Sequence, residues 1–248
     1  MPELTTTQGF QYLKNSRFDR HSIEKQTPNI AEVEPFRQYT PSDKISLPRT
    51  WDITQTDFIS ILQHRQSLRK YRTEPVSLEH LAFMLWASQG ITHQSGKYLF
   101  RTTPSAGALY PVETYISVHS IKGLGTGLYH FDTEHFSLDR LTGQDKTETI
   151  DQACLSQEFI DQAAIVFLWT GVFRRVMGKY GDRGIRYILF EVGHICQNIL
   201  LAAEAVGCGG CPTGAFYDNE LNDLLQIDGE EESILYAASV GGKIPPKS

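Results

Sequence analysis

The chain has 248 residues, 40% of them hydrophobic and 11% aromatic, which is enough to bury a substantial core as one domain. Its formal charge of −6 and isoelectric point near 5.8 argue against nucleic acid or an anionic membrane as main partner, because both reward a net basic face. Four unevenly spaced cysteines make no disulfide framework.

Residues 1–50 are polar, with Pro28, Pro35, Pro41 and Pro48 scattered and no sustained period. They read as a polar N-terminal arm ahead of one domain over 51–248. The opening MPELTTTQGFQYLKN lacks a charged stretch followed by an apolar one, so no secretion signal is expected and the expected location is the cytoplasm.

From Thr56, TDFISILQHR sets Phe58, Ile61 and Leu62 at helical spacing. It runs into HRQSLRKYR, residues 64–72, where Arg65, Arg69, Lys70 and Arg72 gather around Ser67 in an otherwise acidic chain. Arginine forks suit bidentate binding of a phosphate, although such a run also occurs as a plain solvated face. No Walker-type or GxGxxG loop accompanies it. SLEHLAFMLWASQG follows as a core helix, with Ser77 as N-cap and Gly90 near the C-cap.

In TTPSAGALYPVE, 102–113, small residues between Pro104 and Pro111 make a rigid loop whose backbone can approach a flat ligand, or an ordinary surface turn. Strands are expected at 114–120, twice within 127–141, and at 165–172. A long helix is expected over about 184–206, where Ile185, Ile188, Leu189, Val192, Ile195, Ile199, Leu200 and Ala203 recur at threes and fours. Arg186, Glu191, His194, Gln197 and Asn198 interrupt it, so it reads as a core helix rather than a membrane span, with His194 a satisfied buried histidine. GCGGCPTGAF, 207–216, reads as a glycine cluster ending that helix, either with N–H groups free for a ligand or as a plain C-cap. Its Cys208 and Cys211 follow a helix C-terminus, the wrong end for lowering a thiol pKa, and no second Cys or His pair completes a zinc set; no metal is expected. ILYAASVGG closes the chain as a strand, and helices mixed with strands without βαβ alternation indicate an α+β fold.

Five stretches in order, RQSLRKY, LWASQGIT, PSAGALYPVE, GLYHFDTEHFSLDRL and KYGDRGIRYILFEVGHICQNILLAAEAVG, resemble the nitroreductase family of flavoproteins, and within it the SagB/ThcOx-type dehydrogenases that oxidise azoline rings in ribosomally made peptides. The resemblance implies a nitroreductase-like fold, with a central, mostly antiparallel sheet flanked by helices, in an intertwined homodimer that holds FMN in two interface sites. Arg65, Gln66, Ser67 and Arg69 would then hold the flavin phosphate and the polar edge of the ring. Pro104, Ser105, Ala106 and Gly107 would come from the partner subunit, with Tyr110 a core or pocket-wall residue that could stack near the flavin. Pro212, Thr213 and Gly214 would present N–H groups near flavin N5 and O4, and Lys243, with Lys247, would add charge near the phosphate. Lys179 would act as general base, its pKa lowered by Arg174, Arg175, Arg183 or Arg186, and Tyr180 would orient the substrate or relay a proton. Simple nitroreductases carry Asn where Ala108 stands and a second Arg where Gln66 stands, which moves the resemblance towards the SagB type. The implied activity is hydride transfer from a heterocyclised peptide or small azoline to flavin N5. The alternatives are an NAD(P)H-dependent nitro or quinone reductase and, from another class, a non-catalytic flavin-binding subunit of a peptide-modifying complex.

Overall fold

The computed structural model describes residues 4–18, 20, 34–40, 43–51, 53, 56–96 and 98–245; Pro28, Pro41 and Lys247 lie outside them. In chain order the elements are α1 (Gln8–Asn15), β1 (Lys44–Ser46), α2 (Phe58–His64), β2 (Val76–Ser77), α3 (Leu78–Gln89), β3 (Ile91–Ser95), β4 (Tyr98–Arg101), β5 (Val112–Val118), β6 (Ile121–Lys122), β7 (Gly127–Asp132), β8 (Ser137–Thr142), α4 (Thr147–Ala153), β9 (Ile165–Val172), α5 (Phe173–Tyr180), α6 (Gly184–Ala205), β10 (Cys208–Thr213), α7 (Asp218–Leu225) and β11 (Glu232–Gly242).

Seven strands form one sheet in the order β1-β8-β7-β5-β9-β11-β10, every neighbouring pair antiparallel. The interior strand β9 is buried at every residue, as its unbroken apolar run IVFLWTGV requires. Alternation divides its side chains. Ile165, Phe167 and Trp169 join one core with Leu81, Met84 and Leu85 of α3 and Ile188, Val192, Ile195 and Ile199 of α6. Val166 and Leu168 join another with Ile150 of α4 and Leu221 and Leu225 of α7. The α+β sandwich is therefore helix, sheet, helix.

The expected caps are present: Ser77 Oγ accepts from the His80 N–H at 3.1 Å, and Gly90 follows α3. Within the segment read as an arm, β1 pairs with β8, and α1 docks on the start of α6, where Arg183 Nη1 donates to Ser16 O at 3.0 Å and Arg186 Nε to Ser16 Oγ at 2.8 Å.

Two expectations are corrected. His194 is exposed, on an outward stripe of α6 with Leu189, Phe190, Gly193 and Gln197, so it is neither buried nor part of the core. Residues 208–213 are the edge strand β10, not a helix cap; α6 ends at Ala205, and Gly207, two residues on, takes a φ of +71° that suits glycine as the chain turns into the sheet. Cys208 and Cys211, an odd number of residues apart on a strand, point to opposite faces, and both are buried free thiols. Burial pushes the Cys208 thiol up to about 11, against reactive chemistry. The helical stretch Phe173–Ala205 is long and apolar enough to cross a membrane by length and composition, but its apolar face lies in the core.

Candidate active site

The basic run leaves α2 at Arg65, its C-cap, and crosses the outer edge of the sheet in extended form. The Leu68 N–H donates to Gly210 O at 2.9 Å and the Arg72 N–H to Gly242 O at 2.9 Å. Between them Tyr71 is buried, its hydroxyl bonded to Leu68 O and Ser239 Oγ, both at 2.7 Å. Glycines let the run lie flush. A Cβ on Gly241 would sit 2.6 Å from the Tyr71 ring, and one on Gly242 would overlap Arg72 Nε. Because Tyr71 is pinned at its hydroxyl, Gly241→Ala should lower stability by about 1–3 kcal/mol, read as an earlier urea midpoint, and should loosen residues 65–72.

This edge gathers most of the expected phosphate site. Ser67 and Arg69 both reach the Cys211 thiol, and Lys243 Cε lies 3.5 Å from where a Cβ on Gly209 would stand, with Leu68 at 3.0 Å. Gln66, Ser67, Arg69 and Lys70 are exposed and Arg65 is half-buried. Among the described residues, none of Arg65, Arg69, Lys70 and Arg72 pairs with a carboxylate, whereas Lys243 is engaged by Glu204. Two buried polar atoms here, Thr213 Oγ1 and Arg72 Nε, have no hydrogen-bond partner. Uncompensated cations beside orphaned polar atoms fit an anionic, hydrogen-bonding ligand such as FMN. Thr213 ends β10 beside this group and Gly214 follows it; Pro212 has no N–H, so only Thr213 and Gly214 can donate as expected. Sequence reading missed Glu204 and Tyr71, which hold Lys243 and the run in place; an acid in the otherwise apolar last turns of α6 was the available signal for Glu204.

The second group is the loop 102–111 with the end of α5. Gly107 takes φ of +66°, and a Cβ there would lie 2.8 Å from both Lys179 Nζ and the Tyr180 hydroxyl. Amine and phenol therefore converge on one backbone point. Ala108 and Tyr110 also have positive φ, 55° and 46°, which costs about 1–3 kcal/mol each and must be held by contacts. Those contacts are present: Tyr110 N–H donates to Ser105 Oγ at 2.9 Å, the Arg101 N–H to the Tyr110 hydroxyl at 3.0 Å, and Arg175 Nη1 to Tyr110 O at 3.2 Å. Pro104 and Gly107 are exposed, Ser105 and Ala106 half-exposed. Tyr110 itself is buried under Arg101, 4.4 Å from ring centroid to guanidinium, in the place of a core or wall residue.

The arginines near Lys179 in sequence are occupied elsewhere. Arg174 pairs with Glu231, Arg175 with Glu113 at 2.6 Å, and Arg183 and Arg186 hold α1. Lys179 stands exposed at the C-terminus of α5, its Nζ 5.3 Å from the Tyr180 ring centroid.

Sheet register separates the two groups. Val172, where α5 begins, pairs with Glu232 at the start of β11, while Arg72 bonds to Gly242 at its end. Ten residues at about 3.3 Å each put these roots about 33 Å apart along the strand.

Residues 62–242 match the Nitroreductase family. The chain is 38% identical over 201 residues to MJ1384 of Methanocaldococcus jannaschii, which carries a nitroreductase name; the match covers 81% of this chain and 97% of that protein. It is 29% identical over 150 residues to the trifolitoxin-processing protein TfxB of Rhizobium leguminosarum bv. trifolii, covering 58% of this chain and 40% of TfxB. Solved structures share the fold, among them these two. One, from Anabaena variabilis and also bearing a nitroreductase name, has a TM-score of 0.74 at 24% identity, over 96% of this chain and 48% of its own. The other is the Escherichia coli microcin synthetase McbBCD complex with truncated pro-MccB17 bound, with a TM-score of 0.64 at 19% identity, over 80% of this chain and 77% of the matched one. This chain thus spans less than half of TfxB and of the Anabaena chain.

Proposed function

This chain belongs to the nitroreductase family of oxidoreductases, and from that premise we propose that it binds FMN as a homodimer and oxidises azoline rings in a peptide or small heterocycle, in the manner of the SagB type. The observation that carries the reading is the convergence of Lys179 Nζ and the Tyr180 hydroxyl on Gly107. Converting an azoline to an azole breaks a C–H bond on each of two ring atoms: one hydrogen leaves as a hydride with its electron pair, the other as a proton. Bound FMN supplies the hydride acceptor. Lys179 takes the proton, and Tyr180 orients the ring through its hydroxyl. The Pro104–Gly107 backbone sets the distance of both groups from the substrate, and Gly107 is the residue that permits their approach. On the other side Arg65 and Arg69 neutralise the phosphate, with Lys243, held by Glu204, beside it, Gln66 and Ser67 as hydrogen-bond donors, and the Thr213 and Gly214 amides facing the ring.

The two groups meet in a dimer. The loop and the Lys-Tyr pair are joined through Gly107, so they reach a site together, and their distance from the cations along β11 suits a site completed across subunits. Exposed apolar residues support such contact: Phe58 (61% exposed), Ile59 (65%) and Leu62 on α2, and Leu189 and Phe190 (59%) on α6. TfxB and the microcin B17-processing protein McbC of Escherichia coli, both named for processing, favour a peptide substrate; MJ1384 favours the second reading, an NAD(P)H-dependent nitro or quinone reductase. A cytoplasmic setting would keep the four buried thiols reduced.

The test is the absorbance spectrum of the purified protein, followed anaerobically. The proposal expects a flavin spectrum that a thiazoline peptide bleaches and NADPH does not, and expects Arg69→Ala to purify with little flavin. Prompt bleaching by NADPH alone would favour the reductase. A colourless protein that cannot be reconstituted with FMN would overturn both readings in favour of a non-catalytic subunit.

A further inference from the structure

Beside the loop group lies a cleft that the reading above does not use. Its volume is about 620 Å³, inside the range of about 300–1,000 Å³ that ligand sites occupy. The segment 34–38 lines it with Glu34, Pro35, Phe36 and Gln38, the hairpin of β3 and β4 adds Gln94 and Leu99, and the turn between β7 and β8 adds Glu134. Gln94 and Leu99 are a cross-strand pair, so the hairpin presents one face to the cleft; the stacked rings of His93 and Phe100 belong to the other face. The segment is fastened along its length. Gln38 Nε2 donates to Glu134 Oε2 at 3.4 Å, Arg37 pairs with the buried Glu232, the Tyr39 and Tyr115 hydroxyls lie 3.0 Å apart, and Phe36 covers the Arg101 guanidinium at 5.3 Å.

The lining combines two carboxylates, two amides and an apolar surface, without a cation. Neither Glu34 nor Glu134 joins an ion pair among the described residues, and the cations of this region are engaged elsewhere: Arg37 by Glu232, Arg175 by Glu113, and Arg101 behind the Phe36 ring. Free carboxylates beside apolar surface suit a cationic head on an aliphatic stem, as in a lysine or arginine side chain. Arg175 ties the cleft to the reacting pair. Its Nε donates to Glu34 O at 2.9 Å and its Nη1 to Tyr110 O at 3.2 Å, and Lys179 stands one helical turn further along α5. An extended peptide with its ring at Lys179 therefore reaches Glu34 within about five residues, at about 3.3 Å each.

We propose that this cleft is a subsite for a basic residue of the peptide substrate, with Glu34 and Glu134 receiving its cation. The inference deepens the reading of the chain as a dehydrogenase of peptide azolines and rests on it for the identity of the ligand.

The experiment uses the full-length protein and pairs of thiazoline peptides that differ only in carrying lysine or norleucine, with that residue moved from two to about five positions from the ring on either side. At one spacing or more the lysine peptide should have a KM about three- to tenfold lower than its norleucine twin, with kcat unchanged and the preference fading in high salt. Glu34→Gln combined with Glu134→Gln should remove the preference and leave the KM of the norleucine peptide where it was, an outcome that a folding defect would not give. The second readout needs no turnover: a ring-free lysine peptide is coupled to the protein with a carbodiimide and the coupled carboxylates are located by mass spectrometry. Coupling at Glu34 and Glu134 should exceed that at the exposed Asp218 and Glu230 severalfold, and excess norleucine peptide should not suppress it. No preference at any spacing, a preference that survives the double variant, or coupling spread evenly over the exposed carboxylates would each overturn the subsite. Suppression by spermidine at lower concentration than by the lysine peptide would overturn the peptide assignment in favour of a free polyamine. If the norleucine peptides are oxidised while the preference is missing, the subsite fails and the dehydrogenase reading stands; if no thiazoline peptide is oxidised, that reading fails and the coupling result decides the subsite.

Discussion

Lys179→Ala is expected to lower turnover of a thiazoline peptide by about 10²–10⁴-fold, the range in which a positioned base contributes, while the protein still purifies with its full complement of flavin. Lys179 is exposed at the end of α5 and takes part in no ion pair among the described residues, so its removal should leave folding intact. The loss belongs in kcat rather than KM, because the group acts on a proton that moves only in the transition state. Tyr180→Phe, which keeps the ring against Tyr187 at 5.0 Å and removes the hydroxyl that converges on Gly107, should fall between wild type and Lys179→Ala. The checking measurement is steady-state oxidation alongside flavin content by absorbance. Unchanged kcat in Lys179→Ala would remove the lysine from the mechanism.

Arg175→Ala is expected to be the most destabilising of the single changes considered, by about 3–5 kcal/mol at neutral pH, because it strands a buried carboxylate. Glu113, 7% exposed on β5, receives Arg175 at 2.6 Å and the His130 ring at 2.8 Å. Burial alone would push its carboxyl up, but the charge of Arg175, the hydrogen bond and charge of His130, and the charge of Arg101 prevail and hold it well below the usual carboxylate range. A carboxyl depressed in the folded state contributes stability above its unfolded pKa and loses it as pH falls through the folded value. Without Arg175 that contribution is reversed at neutral pH, and it recovers in acid as Glu113 takes a proton, so the gap between variant and wild type should narrow as pH is lowered. Denaturant melts at neutral and acid pH check this. A deficit of equal size at both would mean that Arg175 matters through packing alone. Arg175 also holds Tyr110 O, so surviving protein should show a loosened loop.

What was legible in the sequence was the set of elements whose local signals agree with their tertiary roles. The apolar run at 165–172 became β9, Ser77 and Gly90 bracket α3, and the periodic segment from 184 became α6. Strand β10 was not, because CGGCPT combines residues poor in strand propensity; it is a strand because β11 pairs along one side of it and residues 67–68 along the other. The hairpin of β3 and β4 and the helices α4 and α7 likewise escaped notice, being short and weakly periodic. His194 was misplaced because a helix hydrophobic on most of its circumference hides which flank is bare. At the site, the motif residues were found but their grouping was not. That Gly107 meets Lys179 and Tyr180, more than 70 residues later in the chain, follows only from the pairing of β5 with β9, which brings Val112 opposite Gly171. The buried ion network of Glu113, Arg175, Arg101 and Glu191 is equally non-local, its members spread over β4, β5, α5 and α6.

The central claim, that the cationic edge of one subunit and the Lys-Tyr pair of its partner make one site, is tested most directly by hybrid dimers of an Arg69→Ala chain and a Lys179→Ala chain. Each parent should be nearly inactive on a thiazoline peptide. In a hybrid, sites shared between subunits would place both defects in one site and leave the other whole. Random pairing on co-expression makes about half the dimers hybrids, each with one intact site of two, so about a quarter of wild-type turnover should return. Mixed protein no more active than its parents would contradict the account, since it would place Arg69 and Lys179 of the same chain in the same site.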